Sequence, residues 1–353
     1  MLQSYLIYCT LLVAGVFFAW CATDTKRKIF VVAIALSFAA IAGLRAPSVG
    51  MDTIAYTKVF DQIFAGNIES AYGEKGFKYL VYLLSRISQN KNFIFFVFAL
   101  TTNLLMLLRL WDFEETTAFQ WVVFCYYITF FFFSLNGLRQ ALAISIIFYA
   151  TKYLKKGYFL FLLSIIVAMF FHKSAIIALA YLPCELFKWK YLPRKQKNLL
   201  ITLFCVSPFF VIYAFNLLTT QYSYFFDTLL LDIGWGVVIK IGLILFTSWL
   251  VSYDRKDRGE KVLPLQAKED QMIKIYYLFG LFLTAFSYII PLIGRIGLYL
   301  YVYESVYMGW AIKNYKKDDR LKLIIGCFFL ILLFIELLGN GQYAMPYLFI
   351  WQT

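Results

Sequence analysis

Apolar runs of bilayer length, or close to it, follow one another from Leu2 to Leu338, parted by short polar breaks. Crossing a hydrocarbon core as a helix takes ~20 apolar residues. Inside lipid, only helices and closed barrels satisfy their own backbone hydrogen bonds. A single buried core cannot absorb so many runs: 62% of the residues are hydrophobic and 15% charged, whereas ordinary soluble domains are about half apolar. The chain is therefore read as an all-α, polytopic integral membrane protein. It is expected to form one domain over residues 1–353, with about twelve spans. Hydropathy places these at residues 2–21, 29–44, 92–108, 119–135, 138–153, 158–171, 174–187, 199–216, 235–251, 273–290, 297–312 and 323–338. The first run starts at Leu2 with no basic segment before it, so it is expected to be retained as a helix rather than cleaved.

Charge orients the spans. Most of the 33 Lys and Arg residues lie in the loops that follow odd-numbered spans, such as Thr23 to Lys28, Lys188 to Asn198 and Ser252 to Lys274. Basic loops stay on the cytoplasmic side, so both termini are expected outside, in the cytoplasmic (plasma) membrane. The formal net charge of +13 is then a signal facing anionic membrane lipid, and nucleic acid is not an expected partner. Six cysteines lie singly, without ligand spacing. They point to packing rather than to disulfides or a metal.

The long outer loop, residues 45–91, contains "YGEKGFKYLVYLLSRIS", in which Phe77, Leu80, Val81, Leu84 and Ile87 recur at helical spacing against Lys75, Lys78, Ser85 and Arg86. This predicts an amphipathic helix over 72–90, lying in the headgroup plane.

Few basic residues remain outside, and each sits at the end of a run. Arg45 follows the second span, Arg139 occupies the join in "FFSLNGLRQAL", His172 and Lys173 interrupt "MFFHKSAII", and Arg295 lies in "PLIGRIGLY". A guanidinium at membrane depth costs ~2.5–3.5 kcal/mol on insertion scales, so it usually has a partner or a task. Its planar fork suits phosphate, and a lipid-linked diphosphate is anchored at that depth. The matching chemistry is glycosyl transfer, in which negative charge grows on the leaving phosphate and fixed cations stabilise it. Candidate general bases are His172, the one histidine in the chain, together with Glu74 and Asp52. Asp52 could instead cap the helix that follows it, and each lone cation could simply reach for headgroups. No DxD or ExD pair lies on the outer face, so the reading includes no metal and no cofactor.

The stretches "GLRAPSVGMDTIAYTKVF", "YGEKGFKYLVYLLS", "FFSLNGLRQALAISIIFYATKYLKKG" and "VAMFFHKSAIIALAYLP", with a looser "GRIGLYL" and "NGQYAMPYLF", resemble the EpsG family, related in role to the Wzy polysaccharide polymerases. The resemblance implies a GT-C-like fold. It also implies assembly of exopolysaccharide or capsule at the outer face, from undecaprenyl-diphosphate-linked oligosaccharide onto a growing polysaccharide. A chain-length regulator and a flippase of the same pathway would be neighbours. The matching positions are Arg45, Asp52, Tyr56, Glu74, Asn136, Arg139, Gln140, His172 and Arg295. At Lys75 the family more often has proline. On this reading Arg139, Arg45, Arg295 and Lys173 would bind diphosphate, and Asn136, Gln140 and Tyr56 would contact substrate. A flippase or transporter for the lipid-linked unit, or a polysaccharide ligase or acyltransferase, are the alternatives.

Overall fold

The computed structural model describes residues 1–154, 156–182, 242, 246, 264–285, 291–314, 319–340 and 342–352. The span expected at 199–216, the one at 235–251 apart from residues 242 and 246, residues 183–187 of the one at 174–187, residues 286–290 of the one at 273–290, and two of the six cysteines, Cys184 and Cys205, lie outside the described residues. Those described are helical, with no strand among them beyond an isolated antiparallel bridge between Arg45 and Phe349. In chain order the helices are α1 (Leu2–Thr25), α2 (Ile29–Leu44), α3 (Thr53–Phe64), α4 (Lys75–Ser85), α5 (Lys91–Trp111), α6 (Phe119–Tyr126), α7 (Phe132–Asn136), α8 (Leu138–Ala150), α9 (Tyr158–Met169), α10 (Pro264–Ala285), α11 (Pro291–Tyr301), α12 (Tyr303–Asn314) and α13 (Asp319–Gly339).

Among the described residues, four stretches are long and apolar enough to cross a membrane: Leu2–Thr25, Lys91–Trp111, Phe119–Asn136 and Lys322–Gly339. Ile29–Leu44, Tyr158–Met169 and Met272–Ala285 are apolar but shorter. The protein is a membrane protein, helical through its described residues. The run at 297–312 is not one helix, because α11 ends at Tyr301 and α12 begins at Tyr303.

The described residues fall into two compact units. The first comprises Met1–Ile176 and Glu304–Thr353, and the second Ile177–Tyr303. In the second, α10 packs on α11, and the Tyr181 hydroxyl donates to the Tyr299 carbonyl at 2.5 Å.

In the first unit, the small residues Ala35, Ala39, Ala42 and Gly43 are buried on α2. At Gly43 a side-chain carbon would lie 2.6 Å from Phe96 Cβ of α5. Lipid supplies no hydrophobic drive between helices, so such close approach is what makes them adhere. A hydrogen bond adds to it: the buried Tyr126 hydroxyl donates to Asn103 Oδ1 at 2.7 Å, joining α6 to α5. Between α6 and α7 one π-helical turn, Tyr127–Phe131, carries the span on to Asn136. Such turns insert an extra residue and are frequent at functional sites.

One end of this unit gathers the start of α1, the ends of α2, α7 and α9, and the starts of α5 and α8. The opposite end holds the Lys26–Glu114 ion pair at 2.7 Å, the bond from Gln120 to Thr23 and the bond from Arg109 to Thr151.

At the Arg45 end, residues 45–91 carry two helices. Tyr56, Val59, Phe60 and Ile63 of α3 and Phe77 and Val81 of α4 join Ile94, Phe95 and Phe98 of α5 and Leu138 and Leu142 of α8 in one apolar cluster. Phe77 and Val81 are thus covered by protein, while Leu83 and Ile87 are exposed. The placement of α4 depends on Gly76, where a Cβ would fall 2.6 Å from Phe170 Cβ and 2.8 Å from its carbonyl oxygen. With hydrogen there instead, the first turn of α4 rests directly on the end of α9.

Candidate functional site

The α7–α8 junction sets the site. The Gly137 N–H donates to the Phe133 carbonyl at 2.9 Å and ends α7, while its own carbonyl accepts from Ala141 to start α8. Asn136 and Arg139 therefore sit on either side of a one-residue joint, and both project into the end of the unit.

Arg139 is ion-paired with Glu74 at the start of α4, the two side chains being 13% and 14% exposed. Glu74 Oε1 also accepts the backbone N–H of Lys173 at 3.4 Å, a contact made possible by the α4–α9 approach at Gly76. The guanidinium carbon lies 4.8 Å from the centroid of the Tyr72 ring and 5.6 Å from that of Phe77. Its N–H groups also hydrogen-bond the Tyr56 and Tyr72 side chains.

Tyr56 is the link to Arg45. Burial pushes its phenol up, with Arg139 pulling it back down. The same phenol lies within electrostatic reach of Arg45. Arg45 follows α2 directly and is 2% exposed. Its guanidinium lies over the Phe95 ring at 4.8 Å and near Tyr8 and Tyr347. Burial lowers its pKa to about 10, still far above neutrality, so it stays charged.

Among the described residues, Arg45 Nε and Nη2 and Arg139 Nε are buried with no hydrogen-bond partner. An unsatisfied buried donor costs ~1–3 kcal/mol, more when charged, and a buried charge without a counterion costs more again. These N–H groups are donors that an anion would satisfy.

Asp52 stands at the N-cap of α3 but makes no capping bond. Its carboxylate carries no hydrogen bond among the described residues, and it lies close enough to Tyr56 to act on the phenol. Its backbone is held instead: the Asp52 N–H donates to Asn136 Oδ1 at 3.4 Å. Asn136 Nδ2 in turn donates to the carbonyl and side-chain oxygens of Gln342, both at 2.8 Å.

Gln342 belongs to a C-terminal segment laid across this end. Its N–H donates to Glu336 at 3.0 Å, the Gly50 N–H donates to the Tyr343 carbonyl at 2.8 Å, and the Ala46 N–H donates to the Leu348 carbonyl at 2.8 Å. The Tyr8 hydroxyl donates to the Ala344 carbonyl at 2.9 Å and the Tyr347 hydroxyl to the Ile41 carbonyl at 2.8 Å. This segment covers Arg45.

The remaining sequence candidates are placed as follows. His172 follows α9, with Nδ1 2.6 Å from Ser174 Oγ, and its chain neighbour Lys173 contacts Glu74. Gln140 is buried within the unit. Arg295 belongs to the second unit, exposed on α11. No group of three or more metal-ligating side chains occurs among the described residues. Sequence reading did not single out Tyr72 or Gln342. Tyr72 could have been noticed as the aromatic that precedes "GE", but nothing local marks Gln342, whose partner is 206 residues away.

The arrangement brings cations and carboxylates together at one end of a helical membrane unit. No curated protein and no solved structure gives a significant match to the chain. A family model described as the EpsG family does match, over residues 28–349. That stretch takes in Arg45, Asp52, Tyr56, Glu74, Asn136 and Arg139 and nearly the whole polypeptide, and the chain belongs to the EpsG family.

Proposed function

We propose that the protein is a polymerase that joins undecaprenyl-diphosphate-linked oligosaccharide repeat units into exopolysaccharide or capsule, working at the extracellular or periplasmic face of the cytoplasmic membrane. The reading includes a GT-C-like fold of about twelve spans, with the Arg45 end facing out because the opposite end carries the basic loops. The observation that carries it is a pair of guanidinium groups at one end of the unit, Arg139 bonded to Tyr56 and Arg45 within electrostatic reach of the same phenol, both with buried N–H donors still to satisfy.

An acceptor hydroxyl attacks C1 of the donor sugar. The C1–O bond to the diphosphate breaks, and undecaprenyl diphosphate leaves with the bonding electron pair. Arg139, the more accessible guanidinium, contacts the diphosphate. Arg45 adds its charge from its buried position within electrostatic reach of Tyr56, where the low dielectric strengthens it, and Lys173 supplements them. These cations are fixed before the reaction, so they favour the transition state, where phosphate charge is greatest. Charge neutralisation by guanidinium groups makes the transfer metal-independent.

Of the three candidate bases, Asp52 suits the role best. Glu74 is engaged by Arg139 and by the Lys173 N–H, which makes it the group that aims Arg139, and His172 is tied to Ser174. Asp52 accepts the hydroxyl proton.

The test is the lipid profile of a null strain complemented with wild type or with Arg139→Ala. Single repeat units accumulating on lipid at the outer leaflet in the null and in the variant are expected. Accumulation confined to the inner leaflet would point to a flippase instead, and a normal lipid profile would refute the polymerase reading.

A further inference from the structure

We infer that Tyr72 and Tyr343 are stacking platforms for pyranose rings, forming two sugar subsites on either side of the Asn136–Arg139 joint. The inference rests on the polymerase reading and adds the groups that hold the sugars. Tyr72 is 72% exposed although Arg139 lies 4.8 Å from its ring centroid. With one face toward a guanidinium, most of that exposure belongs to the other face and the edge. The cation also fixes the ring, so little side-chain freedom is left to lose when something stacks on it.

Tyr343 is 55% exposed and holds a left-handed backbone at φ 53°. A bulky non-glycine residue is rarely found there and persists only where its surroundings enforce it. Here the enforcement is visible. The Tyr343 carbonyl accepts from Gly50, and its N–H donates to the Asn340 carbonyl at 2.9 Å. Asn340, itself left-handed at φ 49°, clasps the backbone of Met345 through its side chain at 2.8 and 2.6 Å. The strained backbone presents an aromatic ring outward beside Gln342, which bonds Asn136.

The ligand class follows from the rings. A π-face is electron-rich, and the axial C–H bonds of a pyranose are weakly positive, so a sugar ring lies flat on it with the hydroxyls directed outward. Tyr72 borders the diphosphate-binding Arg139, and Tyr343 borders the loop that holds Asp52. The two therefore suit the sugars flanking the new linkage.

The test uses full-length protein in lipid nanodiscs and oligosaccharide fragments cut from the host strain's own exopolysaccharide, which carry no lipid and no phosphate. Saturation-transfer NMR and calorimetry should show the wild type binding the fragments. Tyr72→Leu and Tyr343→Leu, which keep apolar bulk without a π-face, should bind about three- to tenfold more weakly, and Tyr343→Phe should bind as wild type does. KM for the lipid-linked unit should rise in the Leu variants by a similar factor. Unchanged fragment affinity and KM in both Leu variants would overturn the platforms, including the case where those variants only lose thermal stability and so mark interfacial anchors. A wild type that forms no polymer would overturn the underlying polymerase reading instead.

Discussion

Removing the Arg139 guanidinium should do more harm than the loss of its own contact with substrate, because Glu74 stays behind. The two side chains are paired with little exposure, so Arg139→Ala strands a carboxylate beside the proposed position of the diphosphate. Truncating one partner of a buried ion pair costs ~3–5 kcal/mol, and the residual exposure of both groups argues for the low end, about 3 kcal/mol. Expressed in the transition state, that is roughly a hundredfold in rate. Loss of one preorganised donor to a growing oxyanion costs a further ~10²–10³. The single variant should therefore turn over about 10⁴-fold more slowly or worse. In Arg139→Ala/Glu74→Gln the stranded charge is gone, so the double variant should recover about a hundredfold over Arg139→Ala. Initial rates of undecaprenyl diphosphate release from purified protein in nanodiscs, supplied with lipid-linked repeat units, measure both. A double variant no faster than the single one would mean that Glu74 acts on the substrate itself, and the role given to it here would be wrong.

Three other outcomes are expected. Asp52→Asn should slow release by ~10²–10⁴ with little change in thermal stability, since the carboxylate makes no capping bond; a wild-type rate would remove Asp52 as the base. Asn136→Ala should cut the tie between the α3 loop and the C-terminal segment, costing ~1–3 kcal/mol and exposing the segment to protease; unchanged cleavage of residues 340–352 would show that Gln342 is held by other contacts. Tyr126→Phe, far from the site, should leave Asn103 Oδ1 without its donor and lower stability by ~0.6–1.7 kcal/mol while release rates hold; a loss of rate at full stability would contradict its structural role.

Much of the helix order was legible because lipid imposes a single rule, an unbroken apolar run. The run at 29–44 is the helix Ile29–Leu44, and the run at 92–108 lies within Lys91–Trp111. What the rule does not cover was harder to see. Tyr56, Val59, Phe60 and Ile63 have helical spacing, but the segment around them is too short and charged to give a span, so the sequence offers only a helix after Asp52, without its packing partners on α4, α5 and α8. The break between Tyr301 and Tyr303 has no proline or glycine to announce it. Arg45, Asp52, Glu74, Asn136, Arg139 and His172 could be picked out because each stands at the end of a run or in the outer loop. Their pairing could not, since nothing in the order of residues says that Glu74 meets Arg139 or that residues 342–349 lie over Arg45. Those contacts depend on close approaches such as Gly76 on Phe170, where the signal is the absence of a side chain.

The measurement that bears most directly on the account is the affinity of the purified protein for undecaprenyl diphosphate, set against that for undecaprenol, in wild type and Arg139→Ala. The diphosphate lipid is expected to bind wild type far more tightly than the alcohol does, and Arg139→Ala to remove most of this difference without changing binding of the alcohol. Equal binding of the diphosphate lipid by both proteins would contradict it.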